Sequence, residues 1–290
     1  MLTMTGLLTM LVLGVPWAAL AAPGLRLVVV DPGHGGANQG ALARATGGWE
    51  KDNTLAISKL LAANLRAAGV KVLLTREVDL DLSLADRVKF ANANRADVFV
   101  SVHLNSTERP GPVGHETFFL ALEASDESSA RLARYENEAG GGETLAGLPL
   151  RSDSVAGILM DLSQTSAHQD SQTLAASIQK HMRARSPFPD RGVLQAPFIV
   201  LMGPTMPAVV VEAGFLNHPQ EGKFVTSADG QARIARALAD GILDFGRLVL
   251  AARASSAGDV GNAGSDSLDK HPDSAFEATL PTLPNLGGPN

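Results

Sequence analysis

The chain has 290 residues, 45% of them hydrophobic and 19% charged, a balance that suits a globular protein of one large domain or two small ones. Its formal net charge of −6 argues against a nucleic-acid partner and provides no attraction to anionic lipid. There is no cysteine, so disulfides are excluded and any metal site must be built from histidine and carboxylate.

Residues 1–22 stand apart. Leu7 to Val15 is an apolar run, and Ala19-Leu20-Ala21-Ala22 supplies the small residues of a cleavage site. The stretch reads as a secretory signal peptide, although no Lys or Arg precedes Arg26. An uncleaved membrane anchor is the alternative, for which the run is short. The expected organisation is a signal peptide over 1–22, a catalytic domain over 25–249 with an insertion at about 123–170, and a disordered tail over 250–290.

The first expected strand, Leu27 to Asp31, breaks on Pro32-Gly33-His34-Gly35-Gly36. β-Branched apolar runs of this kind are buried strands, and open α/β sheets build their sites where such strands end. The glycines could also cradle a phosphate, but the Lys-Ser/Thr of a P-loop and the spacing of a dinucleotide fingerprint are both missing. A loop to Gly48 follows, and then a helix from about Asn53 to Ala68, with Ile57, Leu60, Leu61 and Leu65 at helical spacing. Val70 to Thr75 is a strand, Leu84 to Asn94 an amphipathic helix, and Asp97 to His103 a third strand, apolar until its carboxyl end. This order implies parallel βαβ units.

Glu116 to Ala121 reads as a fourth strand. From Glu123 to about Asp170 the chain turns rich in Ala, Ser, Glu and Gly, as expected of an inserted helix or two joined by a loop. A helix carrying Leu174, Ile178 and Met182 comes next, followed by expected strands at Phe198–Leu201 and Ala208–Glu212 and a last helix over about Gln231 to Leu248. From Ala254 the composition is that of a disordered tail. The fold class is therefore α/β: a mostly parallel sheet of about six strands with helices on both faces, plus a helical insertion.

Two strands lead into histidines, His34 and His103, and Glu50 sits near the mouth of the first helix on the same sheet edge. Two imidazoles and a carboxylate with an open fourth position are the ligand set of a catalytic zinc. Glu212 emerges at the end of Val209-Val210-Val211 and is placed as a general base. Taken singly, each residue also has a plain structural explanation: a polar strand end for the histidines and Glu212, a helix-dipole partner for Glu50. Asn105 and His115 are candidate substrate contacts.

The stretches VVVDPGHGG, WEKDNTLAIS, LLTRE, DVFVSVHLNS, HETFFL and VVVEAGFLNHPQE resemble those of the N-acetylmuramoyl-L-alanine amidases of the Amidase_3 type, and they span about Leu25 to Leu248. The resemblance implies one zinc ion per chain on His34, Glu50 and His103, with Glu212 as the catalytic glutamate. It implies hydrolysis of the amide between N-acetylmuramic acid and L-alanine in peptidoglycan. It further implies a periplasmic, monomeric enzyme of daughter-cell separation, held off by a helix whose glutamate occupies the open zinc position until a LytM-type activator displaces it. Ala133 to Ala139 and Leu159 to Thr165 are similar to that regulatory element, with Glu136 as the plug and Glu138 as the alternative; a solvated acidic helix face is the plainer reading. A peptidase or deacetylase on the same scaffold, and an inactive wall-binding regulator, are the competing functions.

Overall fold

The computed structural model describes residues 24–107, 111–140 and 166–262. Six strands form one sheet: β1 (Leu27–Pro32), β2 (Lys71–Leu74), β3 (Val98–Asn105), β4 (His115–Leu120), β5 (Asp190–Ala196) and β6 (Ala208–Phe215). Their spatial order is β2-β1-β3-β6-β4-β5. All neighbours are parallel except β4 and β6, which run antiparallel. That single reversal brings the amino ends of β4 and β5 to the edge where β1, β3 and β6 finish.

Among the described residues, six helices accompany the sheet: α1 (Glu50–Ala67), α2 (Leu84–Ala93), α3 (Glu127–Ala139), α4 (Ser166–Arg185), α5 (Glu221–Val225) and α6 (Ala228–Asn262). The period-2 alternation of each strand divides its side chains between two cores. Val28, Val30, Val100, Val209 and Val211 join residues of α1, α4 and α6 on one face. Val29, Phe99, Phe118 and Val210 meet Leu132 and Ala133 of α3 and the Phe198–Met202 segment on the other. His103, Glu116 and Glu212 follow the alternation onto the second face, beneath α3.

Three sequence-based expectations need correction. The strand expected at Phe198–Leu201 is a 3₁₀ turn over Ile199–Leu201, its apolar side chains buried as a plug in the second core. The fifth strand is Asp190–Ala196 instead, which carries no apolar run because it is a half-exposed sheet edge. The last helix does not stop near Leu248 but continues to Asn262, past the expected start of the disordered tail. The first helix begins at Glu50, three residues before the expected start, which places that glutamate at its N-terminus.

The described residues through Ala251 form one compact unit. Of the second unit, Ala252–Asn290, the described part is helical. The expected signal peptide, residues 263–290 of the tail and the Leu159–Thr165 stretch lie outside the described residues. No helix among the described residues is long and apolar enough to cross a membrane.

Candidate metal centre

β1 ends in a loop that two buried arginines hold in place. Arg76 donates to the carbonyls of Pro32 (3.1 Å), Gly33 (2.8 Å) and Lys51 (2.8 Å). Arg87 donates to the carbonyls of Pro32 (2.7 Å) and His34 (2.8 Å) and pairs with the buried Asp31 (2.7 Å). Burial works against the Asp31 charge, but Arg87 and the Thr75 and Ser101 hydroxyls outweigh it and hold the carboxyl below its usual range. These bonds support His34 in a left-handed conformation (φ 58°) that side chains other than glycine seldom adopt.

Asn38 orients the His34 ring. Its Nδ2 donates to the carbonyl of Ala139 (2.6 Å), which fixes the amide with Oδ1 towards the Gly40 N–H (3.3 Å) and His34 Nδ1 (2.9 Å). An amide oxygen only accepts, so Nδ1 carries the imidazole proton and the lone pair is left on Nε2. Glu50 is fixed as firmly: its Oε2 accepts from Ala41 N–H and its Oε1 from Leu104 N–H, each at 2.9 Å. His103 stands at the end of β3 beside Gly33, where an added Cβ would lie 2.5 Å from the imidazole Nε2.

The ligating atoms of His34, Glu50, His103 and Glu136 all lie within 4.8 Å of one another. His34 Nε2 is 3.0 Å from Glu50 Oε1 and 3.4 Å from Glu136 Oε2; His103 Nδ1 is 3.3 Å and 3.1 Å from the same two oxygens. Both nitrogens are nevertheless buried without a hydrogen bond. Close approach without hydrogen-bond alignment means that four donor atoms converge on a common point rather than on one another. Burial disfavours a charged imidazole, yet the two carboxylates outweigh it and raise the pKa of His34, and that of His103 well above its ordinary value. The same negative field favours a cation held between the two rings. The donor set, nitrogen and carboxylate oxygen without thiolate, fits zinc.

Glu212 adjoins this cluster in register with His103 on the neighbouring strand. It is fully buried, and neither carboxylate oxygen has a hydrogen-bond partner. Burial pushes its pKa well up, against the opposing pull of His103, and the Glu136, Glu50 and Glu116 carboxylates push it further. A buried carboxyl with a raised proton affinity beside a donor cluster is suited to take up a proton.

Glu136 and Glu138 are distinguished by the helix they share. Glu136 faces the histidines and is 8% exposed; Glu138 points to solvent. α3 is fastened by the Asn38–Ala139 bond and by Asn137, which donates to the Pro197 carbonyl (3.0 Å) and accepts from Ile199 N–H (2.8 Å). The cavity left beside His34, His103 and Glu136 is about 10 Å³, room for one water and no more.

The other two candidates fall differently. Asn105 belongs to the site edge, donating to Glu116 Oε1 at 2.7 Å. His115 does not line it: fully buried, it turns to the opposite face of the sheet and bonds Gln179 of α4 through Nδ1 (2.9 Å). Sequence reasoning missed Asn38, Gly40 and Glu116. Gly40 carries a signal of sorts, since a Cβ there would lie 2.6 Å from His34 and 2.7 Å from Glu50.

An α/β sheet whose edge gathers two imidazoles, two carboxylates and an unpaired buried glutamate defines a candidate metallohydrolase. A family model described as N-acetylmuramoyl-L-alanine amidase matches residues 28–244. AmiA of Escherichia coli, an N-acetylmuramoyl-L-alanine amidase, is 35% identical over 225 residues, covering 77% of this chain and 76% of its own. AmiC of Neisseria meningitidis is 32% identical, covering 74% of this chain and 51% of its own. Among solved structures, an N-acetylmuramoyl-L-alanine amidase from Clostridium difficile superposes with a TM-score of 0.59 at 27% identity, covering 77% of this chain and 97% of that one. The CwlD amidase from Clostridioides difficile, solved in complex with the GerS lipoprotein, gives a TM-score of 0.56 at 26% identity, covering 76% and 98%. The chain belongs to the N-acetylmuramoyl-L-alanine amidase family.

Proposed function

We propose that this protein hydrolyses the amide joining the lactyl group of N-acetylmuramic acid to L-alanine in peptidoglycan, using one zinc ion held by His34, Glu50 and His103. The observation that carries the reading is the convergence of those three donors beside the unpaired carboxyl of Glu212. Zinc, when bound, supplies Lewis acidity towards the scissile carbonyl and lowers the pKa of water. Glu212 accepts a proton from the attacking water and delivers it to the L-alanine nitrogen as the C–N bond breaks. Asn38 and the Ala41 and Leu104 amides keep His34 and Glu50 in place throughout.

The reading includes restraint. Glu136 offers the metal a fourth ligand, and α3 covers the groove that a glycan strand must enter. Activity in cell separation then requires α3 to move, and a protein activator is the agent; a related amidase solved with a lipoprotein supports that arrangement. The apolar run at residues 7–15 supports export to the periplasm. Purified peptidoglycan treated with the zinc-loaded protein, its products identified by mass, provides the test. Intact stem peptides with a free L-alanine amine are expected. Cleavage within the stem, or loss of acetyl groups alone, identifies a peptidase or a deacetylase instead.

A further inference from the structure

We infer that Arg191 is a specificity-determining residue that binds a carboxylate of the stem peptide. The inference rests on the amidase reading above and deepens it.

Gly33, His103, Glu212 and Glu116 form a row across the site edge of the sheet, each paired with or adjoining the next on neighbouring strands. Beyond Glu116 the pairing slips. His115 faces Asp190 and Glu116 faces Gly192, so Arg191 is the extra residue of a β-bulge. Bulges re-aim a side chain and often do so beside active sites. Here Gly192 takes the positive φ of 95°, and the Arg191 side chain returns over β4. Its Nε donates to Glu116 Oε2 at 2.7 Å, and its guanidinium carbon lies 5.3 Å from the centre of the Phe215 ring. Asn105 holds the other oxygen of Glu116.

The cation is thus anchored on one edge and on one face. Among the described residues, neither Nη atom makes a hydrogen bond, and the side chain is 31% exposed. An oriented guanidinium with two unused nitrogens is a fork for a carboxylate. Two further acids feel the Arg191 charge and both are committed elsewhere: Asp126 caps α3 through Ser129 N–H, and Glu221 accepts the Gly114 N–H.

Distance selects which carboxylate. Strands lie about 4.8 Å apart, so the guanidinium stands roughly 8 Å from Glu212 once its hydrogen bond to Glu116 is added. An extended residue spans about 3.5 Å, so a group on the second residue of the stem reaches Arg191 when the scissile nitrogen is at Glu212. In peptidoglycan that residue is a D-glutamate joined through its γ-carboxyl, which leaves the α-carboxyl free or amidated.

The test compares two muramyl peptides that differ only in that group, carboxylate against carboxamide, using the zinc-loaded full chain carrying Glu136→Ala and the same protein with Arg191→Gln. The carboxylate substrate is expected to show a kcat/KM roughly 10- to 100-fold higher, the worth of a charge-assisted bidentate contact. Arg191→Gln should erase that preference, so that the acid and amide substrates are cleaved with similar kcat/KM. Equal loss on both substrates, or no preference in the parent, overturns the inference. The preference in the parent does not depend on any Arg191 variant folding. Calorimetry on metal-free protein with the two free stem peptides reads the same discrimination without catalysis. Tighter binding of the acid there, with neither substrate cleaved by loaded enzyme, retains Arg191 as a carboxylate site and overturns the amidase chemistry.

Discussion

Glu136 Oε2, carried by α3, lies 3.1 Å from Nδ1 of His103, carried by β3. On the proposed reading this contact covers the metal centre, and opening the enzyme means breaking it. Glu136→Ala removes that carboxylate and leaves His34, Glu50 and His103 untouched. If the covered state outweighs the open one by about 100 to 1, the variant gains up to roughly 100-fold in rate on peptidoglycan. Asn137→Ala, which loosens the helix at Pro197 and Ile199 without touching a ligand, should give a smaller gain. Product release measured by mass spectrometry checks both, and unchanged rates would show that α3 imposes no restraint.

Glu212→Gln preserves shape and removes the proposed base. Because neither oxygen of Glu212 accepts a hydrogen bond from the protein, the amide costs the fold no partner. Activity should fall about 10²- to 10⁴-fold, the usual contribution of a general base. Zinc content by plasma emission and the thermal midpoint should stay at the parent values. Retained activity in a zinc-replete variant would remove Glu212 from the chemistry.

The convergence of His34, Glu50, His103 and Glu212 was readable because each follows a buried strand or opens a helix, and parallel topology sends such ends to one edge. The position of Glu50 at the mouth of α1 was legible for the same reason, within the three residues by which the helix start was misplaced. Arg191 was invisible because β5 is an edge strand with no apolar run, while the apolar Phe198–Leu201 stretch nearby gave a stronger signal and forms a 3₁₀ turn. His115 was misjudged because the reversal of β4 cannot be read from its residues. The reversal places His115 at the site edge, and period-2 alternation then turns its side chain to the far face. Asn38 lay in a loop whose hydrogen bonds are set by tertiary contacts with α3.

Metal binding should be visible as stability. Zinc at about 100 times its dissociation constant adds roughly 2.7 kcal/mol, and a domain of this size gains about 2–4 °C per kcal/mol. The parent should therefore melt some 5–10 °C higher with zinc than with a chelator. His34→Ala and His103→Ala should abolish the difference. Gly33→Ala should reduce it without altering any ligand, since the added methyl would lie 2.5 Å from the His103 ring and must displace it. Scanning calorimetry with and without zinc decides, and a Gly33→Ala midpoint that responds as the parent does would show that His103 can shift without cost.

The last expectation concerns pH and lies outside the ligand cluster. Glu221, 1% exposed, accepts the Gly114 N–H with both carboxylate oxygens (3.1 and 2.9 Å) and so fastens the chain entering β4 to α5. Burial raises its pKa from 4.5 to about 7 and Glu116 adds to the rise, against the pull of the Gly114 and Phe215 amides and of Arg191. The folded state thus binds this proton more tightly than the unfolded chain. The associated stability is present in full below pH 4.5 and is lost as pH climbs to about 7, by at most about 3 kcal/mol. Glu221→Gln keeps an acceptor for Gly114 and removes the titration. Denaturant unfolding of both proteins between pH 4.5 and 8 should show the variant gaining on the parent across that window and holding a constant lead above it. Parallel curves would mean that Glu221 is solvated well enough to ionise at its ordinary pKa.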